Sequence, residues 1–130
     1  MVGAIVGCLL SFPFIFYSRS VPLVTQQDIE AAVDRMVAVA HAPLKVILFG
    51  SRAKRRARED SDVDLLVVEE EIPDFTSEYG RLRQAVGCIG TGVDILLYPR
   101  EEFERRSSWT SSAVYSALNK GRILFEKPTP

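Results

Sequence analysis

The sequence predicts a small α/β (α+β) domain, in which helices flank a mixed β-sheet of three to four strands. Two observations carry this prediction. Short apolar segments rich in β-branched and aromatic residues alternate with segments of helical periodicity. Their order is helix, strand, strand, helix, strand, helix, strand, which is typical of one sheet covered by helices. The 130 residues fit a single domain, and 47% hydrophobic with 25% charged residues is ordinary for a globular protein.

Three segments have the apolar spacing of amphipathic helices. The first begins at Thr25, a predicted N-cap with Asp28 in a capping-box position, and its apolar spacing continues to Ala40. A second helix is predicted over residues 74–86. A third is predicted over residues 113–120, and the glycine that follows is expected to end it.

Four segments are predicted to be strands. The second begins with alternating polar and apolar residues and then becomes continuously apolar, which predicts a strand covered on both faces. The fourth is short and is followed by a frayed tail at residues 127–130. The predicted strands are residues 44–49, 62–69, 93–98 and 122–125.

The first 17 residues carry no charge, and their number is at the lower limit for a membrane span. Three interpretations are open. The segment is a membrane anchor with Arg19 at the interface, an apolar element packed on the domain, or the product of a start codon placed too far upstream of Val21. The third is favoured because residues 21–126 are expected to form a cytosolic domain without residues 1–20.

The overall composition excludes several classes of function. A net charge of −1 argues against direct nucleic-acid binding. Cys8 and Cys88 have neither metal-ligand spacing nor the pattern of a disulfide framework, which favours a reducing compartment and hence the cytoplasm. His41 is the single histidine, so zinc or Cys/His chemistry is not expected, and a surface or packing role is.

Three aspartates are the candidate metal ligands. Asp62 and Asp64 are two residues apart on a predicted strand, so their side chains project from one face. Two carboxylates this close require a raised pKa or a bound cation, and Mg²⁺ is the usual cation for oxygen ligands. Asp94 opens the third strand. If that strand lies beside the second, the three carboxylates converge.

A candidate phosphate-binding turn precedes these aspartates. Gly50 and Ser51 follow the first strand, and successive N–H groups in such a turn form an anion nest. A loop of five cations, which includes Arg52 and Lys54, comes next and can hold phosphates. Each feature alone is more often a plain turn, a solvated loop or a strand end. Their ordered combination is specific.

That combination resembles the minimal nucleotidyltransferase family of the DNA polymerase beta superfamily, whose pattern is Gly-Ser, ten residues, Asp-x-Asp. The segments "FGSRA", "REDSDVDLLV", "GVDILLY" and "SALNKGRILFE" carry the resemblance over residues 44–126. Arg55 departs from the pattern, since many relatives have glycine there. This departure removes no expected ligand.

The resemblance implies transfer of a nucleoside monophosphate, AMP from ATP, to a hydroxyl. Asp62 and Asp64 would hold two Mg²⁺ ions that bridge the phosphates, and Asp94 would act as base or metal ligand. The triphosphate would lie on the turn and the cationic loop, with contacts from Gly50, Ser51, Arg52 and Lys54.

Small relatives of this kind are typically paired with a HEPN-domain toxin and act as its antitoxin by transferring AMP to a tyrosine. The resemblance therefore implies a HEPN partner, for which Trp109 and Tyr115 are either interface or core residues. Two alternatives remain open: neutralisation of the partner by binding alone, and nucleotidylation of a small molecule as in aminoglycoside-modifying enzymes. An Asp-x-Asp glycosyltransferase is disfavoured by size, and a P-loop NTPase by the missing motif.

Overall fold

The computed structural model describes residues 24–50 and 62–128. Every helix and strand predicted from the sequence is present, and one further helix, α3, was not predicted. The elements are α1 (Gln26–Val39), β1 (Pro43–Phe49), β2 (Val63–Glu69), α2 (Phe75–Val86), β3 (Val93–Pro99), α3 (Arg100–Arg106), α4 (Ala113–Lys120) and β4 (Arg122–Glu126). The predicted segments 1–20 and 51–61, and the last two residues of the tail, lie outside the described residues.

The four strands form one mixed sheet in the order β3-β2-β1-β4. β1 is antiparallel to both β2 and β4, whereas β2 and β3 are parallel. The connection from β2 through α2 to β3 is the crossover that a parallel pair requires. The predicted fold class is confirmed.

Helices cover both faces of the sheet. On one face, Leu65 and Val67 of β2 belong to an apolar cluster that contains the buried apolar residues of α1 and α2. On the other face, Leu66 and Val68 pack with Phe103 of α3 and with buried residues of α4. All four β2 residues are buried. This explains why the second strand becomes continuously apolar, as predicted.

Side-chain caps begin three of the helices. Thr25 forms the predicted capping box: its Oγ accepts the Asp28 N–H at 3.0 Å, and the Asp28 carboxylate accepts the Thr25 N–H at 2.9 Å. Asp74 and Ser112 cap α2 and α4. Gly121 ends α4 as expected, but its φ is −87°, so no left-handed turn requires the glycine. A Cβ there would lie 2.9 Å from the Leu48 carbonyl oxygen, so close packing requires it.

The unpredicted helix α3 follows β3 without an intervening loop. Its N-cap is Pro99, which forms no side-chain capping hydrogen bond, so the usual sequence marker of a helix start is missing. The order of charged residues was the feature of the sequence that could have predicted this helix. Two glutamates stand in its first turn and two arginines in its last turn, which is the arrangement that the helix dipole favours.

Several smaller expectations have outcomes in the described residues. Cys88 is disulfide-bonded, which corrects the expectation that the cysteines form no disulfide. The cysteine spacing therefore no longer supports a reducing compartment. His41 is on the surface, with Nε2 3.6 Å from a carboxylate oxygen of Glu71. Trp109 is 43% exposed and Tyr115 is half-buried. Over residues 24–50 and 62–128, no helix is long and apolar enough to cross a membrane.

Candidate active site

The parallel pairing of β2 and β3 brings two of the predicted site residues side by side. Asp64 and Asp94 are direct partners in the register of the two strands, and Asp62 lies one residue before β2. Asp64 shares its sheet face with Leu66, the face on which α3 and α4 pack farther along the strand. Asp62 and Asp94 are exposed and Asp64 is half-buried. The carboxylates therefore occupy an open end of an otherwise covered face.

The electrostatics of this group centre on Asp64. Burial raises the pKa of the Asp64 carboxyl above its usual range. The charge of Asp94, a hydrogen bond with it, and the charge of Asp62 raise that pKa further. A carboxyl group whose pKa is raised by burial and by two neighbouring carboxylates marks a site that a cation would stabilise.

Gly50 packs directly against the side chain of Asp64. It follows Phe49, whose register partner in β2 is Asp64, and its φ is +79°, in the left-handed region that favours glycine. A Cβ at this position would collide with Oδ2 of Asp64 and lie 3.2 Å from its Cγ. Gly50, the first residue after β1, thus lies directly against the Asp64 carboxylate, and the phosphate-binding role of the turn stays a prediction.

Gly92 packs against the side chain of Asp62 as Gly50 does against Asp64. This contact was not predicted from the sequence. A Cβ on Gly92 would lie 2.8 Å from Oδ1 of Asp62. The Gly92 carbonyl oxygen accepts the N–H of Val63 at 2.9 Å, which joins the start of β2 to the residue before β3. The glycine immediately before the "VD" of the third strand was the available signal.

The remaining predicted contacts lie in the loop between β1 and β2. Ser51, Arg52 and Lys54 fall within residues 51–61, outside the described residues. Their predicted role in phosphate binding therefore stays a prediction.

The described carboxylates fit a metal ion whose remaining ligands come from the substrate. Among the residues that the structure describes, no group of three His, Cys, Asp or Glu side chains is arranged to hold an ion by itself. Mg²⁺, however, is commonly bound by one or two carboxylates together with the phosphates of a substrate. Asp64 and Asp94, which are paired on neighbouring strands, provide hard oxygen donors of that kind, and Asp62 is close enough to affect the pKa of Asp64.

The sequence from residue 32 to residue 129 matches the family model described as polymerase beta nucleotidyltransferase. The chain belongs to this family. The family and the enzyme class predicted from the Gly-Ser and Asp-x-Asp pattern are thereby confirmed, and the chain is a nucleotidyltransferase.

Known proteins resemble this nucleotidyltransferase in sequence and in fold. A candidate protein adenylyltransferase of Methanocaldococcus jannaschii is 30% identical over 81 residues, which are 62% of this chain and 77% of the relative. A candidate nucleotidyltransferase of Sulfolobus solfataricus superposes with a TM-score of 0.55 at 16% identity, over 78% of this chain and 79% of that one.

A third similar structure is a complex. It contains a tri-AMPylated HEPN toxin of Shewanella oneidensis with an MNT antitoxin, and the match has a TM-score of 0.52 at 16% identity. It covers 79% of this chain and 74% of the other. At this identity, the two structural matches show a shared fold.

Proposed function

We propose that this nucleotidyltransferase transfers AMP from ATP to a tyrosine hydroxyl of a partner HEPN toxin and thereby acts as its antitoxin. The observation that carries the proposal is the pairing of Asp64 with Asp94 on neighbouring strands at the open end of the sheet, with Gly50 packed against Asp64. The adenylyltransferase relative and the complex with an AMPylated toxin support the choice of nucleotide and acceptor.

In the proposed reaction, Asp62 and Asp64 hold Mg²⁺ and the triphosphate lies on the Gly50 turn. Bound Mg²⁺ would neutralise the charge of the phosphates and orient the α-phosphate for in-line attack. The acceptor oxygen forms a bond to the α-phosphorus, the bond from that phosphorus to the bridging oxygen of the β-phosphate breaks, and pyrophosphate leaves. Asp94 either completes the ligand set or accepts the proton of the hydroxyl.

The exposure of the site is compatible with a macromolecular acceptor. Asp62 and Asp94 are both exposed, and the two helices on this face pack farther along the strands, on Leu66 and Val68. A tyrosine side chain on the surface of a partner can reach carboxylates in this position without the opening of a lid formed by the described elements. This accessibility suits transfer to a protein as well as to a small molecule.

The test is an intact-mass spectrum of the partner that co-purifies from the native host. The protein is compared with Asp64→Asn and with the control Asp34→Asn, which makes the same chemical change at an exposed position of α1. A partner heavier by one or more AMP units with wild type and Asp34→Asn, but not with Asp64→Asn, supports the proposal.

The other outcomes contradict it in different ways. A partner that is unmodified in all three samples would overturn nucleotidyl transfer to protein and indicate neutralisation by binding alone. If no partner co-purifies, a small-molecule acceptor replaces the toxin, and purified protein is then assayed with ATP and aminoglycosides.

A further inference from the structure

The loop from residue 87 to residue 92 touches the candidate site at two points. At its end, Gly92 packs against the Asp62 carboxylate and accepts the Val63 N–H. Two residues later, Asp94 lies beside Asp64. The conformation of this loop therefore affects the position of Asp62 and of the first residues of β3, while the pairing of β2 and β3 sets Asp94 beside Asp64.

An arginine of α1 fixes the start of the loop. The Nε of Arg35 donates to the carbonyl oxygen of Ala85 at 2.8 Å, and its Nη2 donates to that of Val86 at 2.8 Å. These carbonyls belong to the last turn of α2, which has no partners for them within the helix. A guanidinium at this end also complements the negative end of the helix dipole.

A second arginine fixes the end of the loop. Arg83, in the last turn of α2, donates from Nη1 to the carbonyl oxygen of Val93. Val93 lies between Gly92 and Asp94 and begins β3, which is an edge strand of the sheet. Among the described strands, β3 has a neighbour on one side alone, so the side-chain donor at its first residue adds a second restraint to the one that β2 supplies.

We propose that Arg83 is a positioning residue of the nucleotidyltransferase site. By holding the Val93 carbonyl, Arg83 keeps Gly92 against Asp62 and Asp94 beside Asp64, and so sets the affinity of the carboxylates for a divalent metal. Outer contacts that orient metal ligands typically contribute about 10–100-fold to metal affinity. This inference rests on the proposed function, because it takes the three aspartates as the metal ligands.

The test measures binding of Mn²⁺, in the presence of a non-hydrolysable ATP analogue, by electron paramagnetic resonance. Four proteins are compared: wild type, Arg83→Met, Arg83→Lys and Arg100→Met. Arg100 follows the opposite end of β3 and makes surface ion pairs with Glu70 and Glu104, so its replacement is a matched loss of a guanidinium. Thermal denaturation of all four separates positioning from folding.

We expect Arg83→Met to weaken Mn²⁺ binding about tenfold while its melting temperature stays within a few degrees of wild type. Arg83→Lys, which retains a donor, should recover part of that affinity, and Arg100→Met should bind as wild type does. Unchanged Mn²⁺ affinity in Arg83→Met would overturn the inference, whether or not its melting temperature falls. A wild-type protein that binds no Mn²⁺ with the analogue would instead overturn the proposed metal site itself.

Discussion

A buried pair of carboxyl groups at the far end of β2 should make the stability of the domain depend on pH. Glu69 and Glu78 are 0% and 1% exposed. Backbone N–H groups of Ala42 and His41 donate to Glu69 Oε1 at 3.3 Å and Glu78 Oε2 at 2.9 Å, and Arg81 pairs with Glu78. The other oxygen of Glu69 has no donor among the described residues. It is satisfied if Glu69 is protonated and donates to Glu78.

The protonation of this pair follows from its surroundings. Burial and the hydrogen bond with Glu78 raise the pKa of Glu69 to about 8. Burial also acts to raise the pKa of Glu78, but hydrogen bonds from Glu69, the His41 backbone and Arg81 outweigh it and lower that pKa. Glu70 and Glu71, which follow Glu69 in the chain, are exposed: Glu70 pairs with Arg100, and Glu71 faces the His41 imidazole. The folded pair thus holds one proton at neutral pH.

This proton determines how the free energy of unfolding changes with pH, in sign and in size. Between the ordinary glutamate pKa of 4.5 and about 8, the folded state binds more protons than the unfolded state. The stabilising contribution is therefore complete below pH 4.5 and is lost as the pH rises to 8. The slope is about 1.4 kcal/mol per pH unit, and the total across the window is at most about 5 kcal/mol.

The perturbation is Glu69→Gln, whose neutral amide can donate to Glu78 at every pH. Urea unfolding of wild type at pH 5, 6, 7 and 8 should show a falling free energy of unfolding, and the variant should lose most of that slope. Glu71→Gln, at a side chain that is 71% exposed, is the control and should retain the wild-type slope. Equal slopes in Glu69→Gln and wild type would refute the shared proton.

Three further changes test the site and the core. Gly50→Ala should destabilise the protein by about 1–3 kcal/mol and impair transfer, because its Cβ collides with Asp64 at a positive φ. Gly80 lies within α2, and a Cβ there would meet no atom within 4 Å, so Gly80→Ala should be neutral or slightly stabilising in the same urea assay. Equal changes in the free energy of unfolding for the two variants would contradict this account. Asp64→Asn should abolish transfer, because a proposed metal ligand is lost. It should not lower the melting temperature, because it relieves repulsion by Asp94 and Asp62; a loss of stability would count against that repulsion. Leu66→Ala, at a fully buried position, should lower the free energy of unfolding in urea by about 2–5 kcal/mol. Leu118 is 41% exposed, and Leu118→Ala should lower it by less than about 1 kcal/mol. Similar losses in the two variants would disprove the two-sided burial of β2.

The sequence was most informative where a local pattern has a local cause. Thr25 and Asp28 cap a helix through contacts three residues apart, so the capping box could be predicted from the order of residues alone. The same holds for the apolar run of β2, whose residues are buried alternately by two layers of helices. Helix α3 was missed because Pro99 provides no capping side chain, and its few residues repeat too briefly to show a period.

The candidate site was predicted less completely, because part of it depends on contacts between distant segments. The position of Asp94 beside Asp64 required β3 to lie next to β2, which sequence order alone does not establish. The close approach of Gly92 to Asp62 follows from that same pairing. Glu69 ends β2 and Glu78 lies in the first turn of α2, and the fold buries both where they accept the backbone N–H groups of Ala42 and His41, a meeting that sequence order does not reveal.

The most direct test of the central claim follows the phosphorus of ATP. The unmodified partner that co-purifies with Asp64→Asn is incubated with the wild-type protein, Mg²⁺ and ATP labelled at either the α- or the γ-phosphate. Nucleotidyl transfer predicts that the partner acquires the α-label and not the γ-label, and that Asp64→Asn abolishes the labelling. A partner that acquires the γ-label, or one labelled equally well with Asp64→Asn, would contradict the assignment of the Asp64 and Asp94 pair as a nucleotidyltransferase site.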